Sequence, residues 1–151
     1  MGRERLVVGG GVEGFDEAQP GQRDPSGDVY DWYQRALELL DEGSASAAVQ
    51  LLDRVTTAAP ELRSVREALA RAQFDSKMYA EAERTFGSIT AQRPDDDYAL
   101  YGLGMALSRL GRFDEAVEHL ALAVAMRPDR REYSDALRQA RATVRARRPG
   151  R

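Results

Sequence analysis

Three prolines, Pro60, Pro94 and Pro128, stand 34 residues apart, twice in succession. A fixed period of this size constrains the fold more than any composition does. Each unit must be one supersecondary element that cannot bury its apolar face alone and stacks on its neighbours. The same register carries further columns. Small residues recur at Ala36, Ala70 and Gly104, and again at Ala48, Ala82 and Ala116, where paired helices have to approach closely. Larger apolar residues recur at Leu52, Phe86 and Leu120, followed by Val55, Ile89 and Ala123. Within the third unit Phe113, Val117, Leu120 and Val124 fall at helical spacing and make one apolar stripe. Gly43 and Gly111 read as helix stops, and Asp96 or Asp97 as a cap for the helix after Pro94. The pattern predicts helices over about 29–42, 45–58, 62–75, 79–92, 97–109 and 113–126. A seventh, over about 131–147, has Tyr133, Leu137, Ala140 and Val144 on one face and polar residues elsewhere. That is what a terminal helix needs in order to cover the last apolar face.

These columns resemble the tetratricopeptide repeat, whose pattern runs W-x2-L-G-x2-Y, then A-x3-F, then P over 34 residues. The third unit follows it most fully, with Leu100, Leu103-Gly104, Leu107, Ala116, Leu120 and Pro128. The first has Trp32, Ala36, Leu39, Ala48, Leu52 and Pro60, and the second Leu69-Ala70, Ala82, Phe86 and Pro94. Arg35, Arg66 and Gln73 depart from it, each replacing an apolar residue. The resemblance spans residues 29–128. It implies an all-α, right-handed solenoid of three helix–turn–helix repeats at about 29–62, 63–96 and 97–130. A capping helix at about 131–147 completes a domain at 28–148, with a short tail at 149–151.

The resemblance also implies a concave face lined by the first helix of each repeat, which would hold a peptide or partner protein. Transferred by register, its site residues are Tyr30, Tyr33 and Leu37 in the first repeat, and Glu67 and Arg71 in the second. In the third they are Tyr98, Tyr101, Met105 and Arg109. Ser64, Ala68 and Asp75 share the same face of the second repeat. Some members of the family clamp acidic chaperone tails with Lys, Asn and Arg. The matching positions here are Tyr33, Leu37, Ala68, Tyr98 and Gly102, so that ligand is not expected.

Composition narrows the function classes. There are no cysteines, which excludes disulfides and thiolate metal sites. No stretch approaches the ~20 apolar residues of a membrane span. The apolar run at 6–8 is too short for a secretory signal, and Leu6 stands where myristoylation needs Ser or Thr, so a cytoplasmic location is the default expectation. The 21 Arg against a single Lys fit the codon bias of a GC-rich genome of the actinobacterial kind. Residues 1–27, rich in Gly, Pro and polar residues, predict a disordered tail. Gly9, Gly11 and Gly14 spell G-x-G-x-x-G there, but no strand–helix unit follows to make it a dinucleotide site. Residues 127–151 hold nine Arg against Asp129, Glu132 and Asp135, a local +6 that leaves −9 for the rest. Such asymmetry can serve a nucleic acid or an anionic partner.

No set of residues points to catalysis. His119 is the only histidine and has no evident acid–base partner, and Asp95, Asp96 and Asp97 read as a turn and cap. No metal or cofactor is expected. The leading expectation is a non-catalytic adaptor or scaffold. Binding of a nucleic acid or anionic partner through the Arg-rich end is the first alternative, and self-association the second. The partner's identity and the oligomeric state lie beyond the sequence.

Overall fold

The computed structural model describes residue 6 and residues 25–148, with side chains from residue 28 onward. The described residues are all-α. Seven helices follow one another: α1 (Pro25–Asp41), α2 (Ala45–Ala58), α3 (Arg63–Asp75), α4 (Tyr79–Gln92), α5 (Asp97–Arg109), α6 (Phe113–Met126) and α7 (Arg131–Arg147). From α2 onward the bounds match the periodicity to within a residue. α1 starts four residues earlier than predicted. A proline suits a first helical turn, where its missing N–H has no intrahelical acceptor to lose, and Asp28 adds favourable charge in that turn. The expectation of a disordered tail otherwise concerns residues outside the described ones, except at Leu6, which is buried. The glycines at 9, 11 and 14 also lie outside the described residues.

The chain divides into two compact units, residues 1–78 and 79–151. In the first, α1 packs on α2, α2 on α3, and α1 also touches α3. Its core joins Val29, Tyr33, Ala36 and Leu40 of α1 to Ala48, Leu52 and Val55 of α2 and to Val65, Leu69 and Ala72 of α3. The small-residue columns lie at its centre, since Ala36 and Ala48 are completely buried. In the second unit α4 packs on α5, α5 on α6, and α6 on α7, while α5 also touches α7. The close approach there is tight. A methyl group on Gly102 would overlap the Phe86 ring, and one on Gly104 would overlap Leu120.

The helix stops share one geometry. Gly43 and Gly111 take positive φ, at 84° and 79°, and Lys77 stands between them in the same column with φ 64°. Each completes the same pair of bonds back into its helix. Ser44 N–H donates to Leu39 O, Met78 N–H to Gln73 O and Arg112 N–H to Leu107 O, at 2.7, 2.8 and 2.9 Å. This is the Schellman ending. Lys77 adopts the left-handed conformation without the freedom glycine has. At the start of α5 the Asp96 carboxylate accepts from Ala99 N–H at 3.0 Å, the expected cap.

α7 covers the end of the second unit. Tyr133, Ala136, Leu137 and Ala140 are buried, and its arginines face outward. Tyr133 is the anchor. Its ring stacks on Tyr101 at 4.6 Å, and its hydroxyl donates to Asp97 Oδ2 at 2.8 Å. Asp97 is thus more than a turn residue.

Candidate functional site

The expected site residues separate by burial. In the first unit Tyr33 is a core residue, because its ring falls on the same stripe of α1 as Val29, Ala36 and Leu40. Tyr30, Leu37 and Glu67 are half-buried, and Leu37 packs its inner part against that core. In the second unit Tyr98 and Tyr101 are buried, while Met105 and Arg109 are half-buried. Tyr98 sits edge-on to Phe86 at 6.1 Å, and Tyr101 is held by Tyr133. The tyrosines expected to line an open face therefore give most of their area to packing. The more accessible members are Tyr30, Leu37, Glu67, Met105 and Arg109.

Electrostatics follow the same division. Burial, then the Glu132 carboxylate, pushes the Tyr101 hydroxyl up to about 12. Burial raises Tyr133 further, aided by its bond to Asp97. Burial, then Glu67, raises Tyr33. These hydroxyls are neutral donors at physiological pH and offer no negative charge to a ligand. Burial lowers the Arg109 guanidinium from its ordinary value, but it stays a cation.

Arg71 is a charged exception. It is only 7% exposed, yet its ion pair with the exposed Asp41 carboxylate is a long one, at 3.7 Å. Its Nε has no hydrogen-bond acceptor among the described residues. Four residues on, at the C-terminal end of α3, the Asp75 carboxylate accepts the backbone N–H of Leu6 at 3.0 Å. Leu6 is 3% exposed. Sequence reasoning set Leu6 in a tail expected to be disordered. The usable signal was the aliphatic run it opens at residues 6–8 in an otherwise polar and glycine-rich stretch.

A second concave region, of about 860 Å³, lies in the second unit between α6 and α7. Val117, Val124, Leu137 and Val144 form its apolar part, and its charged lining sets Arg138, Arg141, Arg145 and Arg148 against Asp114 and Glu118.

The sequence profile described as "Tetratricopeptide repeat" matches residues 39–99 and 75–140. The chain belongs to the tetratricopeptide repeat family. Repeats of this family generally act as non-catalytic scaffolds. Among solved structures, the chain resembles the tetratricopeptide domain of P58(IPK), with a TM-score of 0.75 and 17% identity, over 82% of this chain and 35% of that one. It resembles the first such domain of Spaghetti (RPAP3) bound to the HSP90 peptide SRMEEVD, with a TM-score of 0.73 and 19% identity, over 79% of this chain and 94% of that one. It also resembles a MamA RS-1 double mutant, with a TM-score of 0.73 and 23% identity, over 78% of this chain and 66% of that one. A curated relative, mouse Superkiller complex protein 3, is 29% identical over 98 residues, which is 65% of this chain and 6% of the mouse protein's length. The likeness to the solved structures is one of fold. Among the described residues no helix is long and apolar enough to cross a membrane.

Proposed function

We propose that this tetratricopeptide repeat protein is an interaction module that holds a peptide or a segment of a partner protein on the faces of its first helices. In the first unit that face is formed by α1 and α3. The observation that carries the reading is their adjacency, two touching helices on which Tyr30, Leu37 and Glu67 are half-buried and Arg71 is buried, an apolar and charged set. The second unit offers Met105 and Arg109 on α5. Methionine adapts its shape to a partner, and half-buried aromatic and arginine residues are those that dominate binding energies. The RPAP3 domain with its bound HSP90 peptide supports peptide holding as a use of this fold. An acidic chaperone tail is not the proposed ligand. Tyr33, Leu37, Ala68, Tyr98 and Gly102 supply no cation where a clamp would need one.

The test starts from a partner captured on the 151-residue chain and identified. Leu37→Asp combined with Glu67→Arg should weaken its affinity by about 2 kcal/mol or more, with the helical circular-dichroism signal unchanged. Unchanged affinity in a folded variant would remove the α1–α3 face from the function.

The rim of the α6–α7 region favours a second reading, an anionic partner. Arg141, Arg145 and Arg148 are exposed and make no ion pair among the described residues. Binding through them should weaken steeply between about 50 and 200 mM salt, unlike binding on the α1–α3 face.

A further inference from the structure

Leu6 is buried and its amide is bonded, although it is joined to the helical part of the chain only through residues 7–24. The acceptor is Asp75, which shares a face of α3 with Arg71 at the i, i+4 spacing. Together they present what an extended backbone needs. The Asp75 carboxylate takes a backbone N–H, as it does from Leu6. The Arg71 guanidinium, nine-tenths buried and without an acceptor on Nε among the described residues, offers a donor for a backbone carbonyl. A guanidinium held this far from water in a long ion pair is costly unless something accepts its hydrogen bonds. An aliphatic side chain such as that of Leu6 adds the apolar contact.

We propose that the α3 face carrying Arg71 and Asp75 is a binding site for an extended aliphatic segment, and that the chain's own segment around Leu6 is its resident occupant. The site reads backbone polarity through the Arg71–Asp75 pair and one aliphatic side chain through burial. The segment is an internal ligand that competes with any external one. This deepens the partner-binding reading and rests on it only for the external competitor. The docking of Leu6 stands by itself.

The magnitudes are suited to regulation. Carriage of site and segment on one chain gives an effective concentration of about 1 mM. A segment with a dissociation constant near 0.1 mM in trans would then occupy its site about nine-tenths of the time. An external ligand would lose about tenfold in apparent affinity, and the Leu6 amide would exchange about tenfold more slowly than an open chain.

Two measurements on the 151-residue chain test this. The first is hydrogen exchange of the Leu6 amide by NMR, in the wild type and in Asp75→Ala. Slowing of about tenfold or more in the wild type, abolished by Asp75→Ala, is expected. Exchange at the open-chain rate in the wild type overturns the proposal. The second is binding of a fluorescent synthetic peptide of residues 2–12, read by anisotropy, to the wild type and to Leu6→Asp. The variant, with its own segment expelled, should bind the peptide about tenfold more tightly than the wild type. Equal affinity for both, or binding to neither, refutes the internal-ligand assignment. Should Leu6→Asp fail to fold, the exchange measurement decides alone. Peptide binding to Leu6→Asp with no external partner ever competing would keep the α3 site and remove the partner-binding reading. A partner insensitive to the Leu6 variant, beside an open-chain Leu6 amide, would do the reverse.

Discussion

Tyr133 is where the last helix is fastened, and removing it should show how much that fastening contributes. Its side chain is 1% exposed, its ring lies at 26° to that of Tyr101, and its hydroxyl bonds to the Asp97 carboxylate. Truncating a buried aromatic to Ala costs about 3–5 kcal/mol from lost transfer energy and the cavity left behind. The stacked partner and the hydrogen bond push the loss toward the upper part of that range. Asp97 is only half-buried, so water can replace the lost hydroxyl and return some of the cost. Tyr133→Ala should therefore cost about 4 kcal/mol, a large fraction of the ~5–15 kcal/mol available to a domain. Tyr133→Phe keeps the stack and should cost about 1–2 kcal/mol. In urea, followed by far-ultraviolet circular dichroism, the Ala variant's midpoint should fall by about 2 M and the Phe variant's by less than 1 M. A cycle with Asp97→Asn separates the hydrogen bond from the stack, because Tyr133→Phe and Asp97→Asn should then fail to add. An Ala midpoint within about 0.5 M of wild type would refute the reasoning. So would a Phe variant as unstable as the Ala variant, which would place the energy in the hydroxyl alone.

Three further expectations follow from the same geometry. The Tyr101 and Tyr133 hydroxyls are held above their ordinary value of about 10, so the native state keeps protons that the unfolded state loses. Their contribution is fully present below pH ~10 and is lost as pH rises through about 12, by at most about 1.4 kcal/mol per pH unit for each tyrosine; urea titrations between pH 9 and 11 should show this limb and its flattening in Tyr101→Phe, and a flat profile would contradict it. Lys77→Gly should stabilise by about 0.5–1 kcal/mol, because the left-handed turn costs a lysine more than a glycine; a lower melting temperature would mean that the lysine side chain matters more than its φ of 64°. Gly87→Ala and Gly102→Ala make a control pair within the second unit. An added methyl meets nothing within 4 Å at Gly87, so helix propensity should give about +0.5–1 kcal/mol, whereas at Gly102 it meets the Phe86 ring and should cost about 1–3 kcal/mol, both read by thermal denaturation.

The fold was legible because a repeat states its packing rule three times. The completely buried Ala36, Ala70, Ala48, Ala82 and Ala116 are the columns whose smallness was visible in the sequence. The helix stops were legible at Gly43 and Gly111 but not at Lys77, because its left-handed conformation is imposed by the Schellman bonds around it rather than advertised by its residue type. The site was less legible, for a related reason. A register transferred from a family says which face of a helix a residue occupies, not how deeply it sits. Tyr33, Tyr98 and Tyr101 fall on the transferred face and are nevertheless buried, since Tyr33 shares the core stripe of Val29, Ala36 and Leu40, Tyr98 packs on Phe86 and Tyr101 on Tyr133.

Tertiary pairings with no local pattern were not legible at all. The bond between Asp97 and Tyr133 joins residues 36 apart, and that between Leu6 and Asp75 joins residues 69 apart. Neither departs from what a cap, a core position or a tail would contain. The two pairings nevertheless act in the same physical way. In each, a buried residue gives a hydrogen bond to an aspartate of a first helix. For Tyr133 the segment is a helix that stays in place, and the pairing is structural. Leu6 lies outside the repeats, and its pairing is not required by the stacking of one helix on the next. A contact that the stacking does not require is one that a competing ligand can displace. That difference in setting, rather than any difference in chemistry, is why the Asp97 pairing is read as architecture and the Asp75 pairing as a binding site.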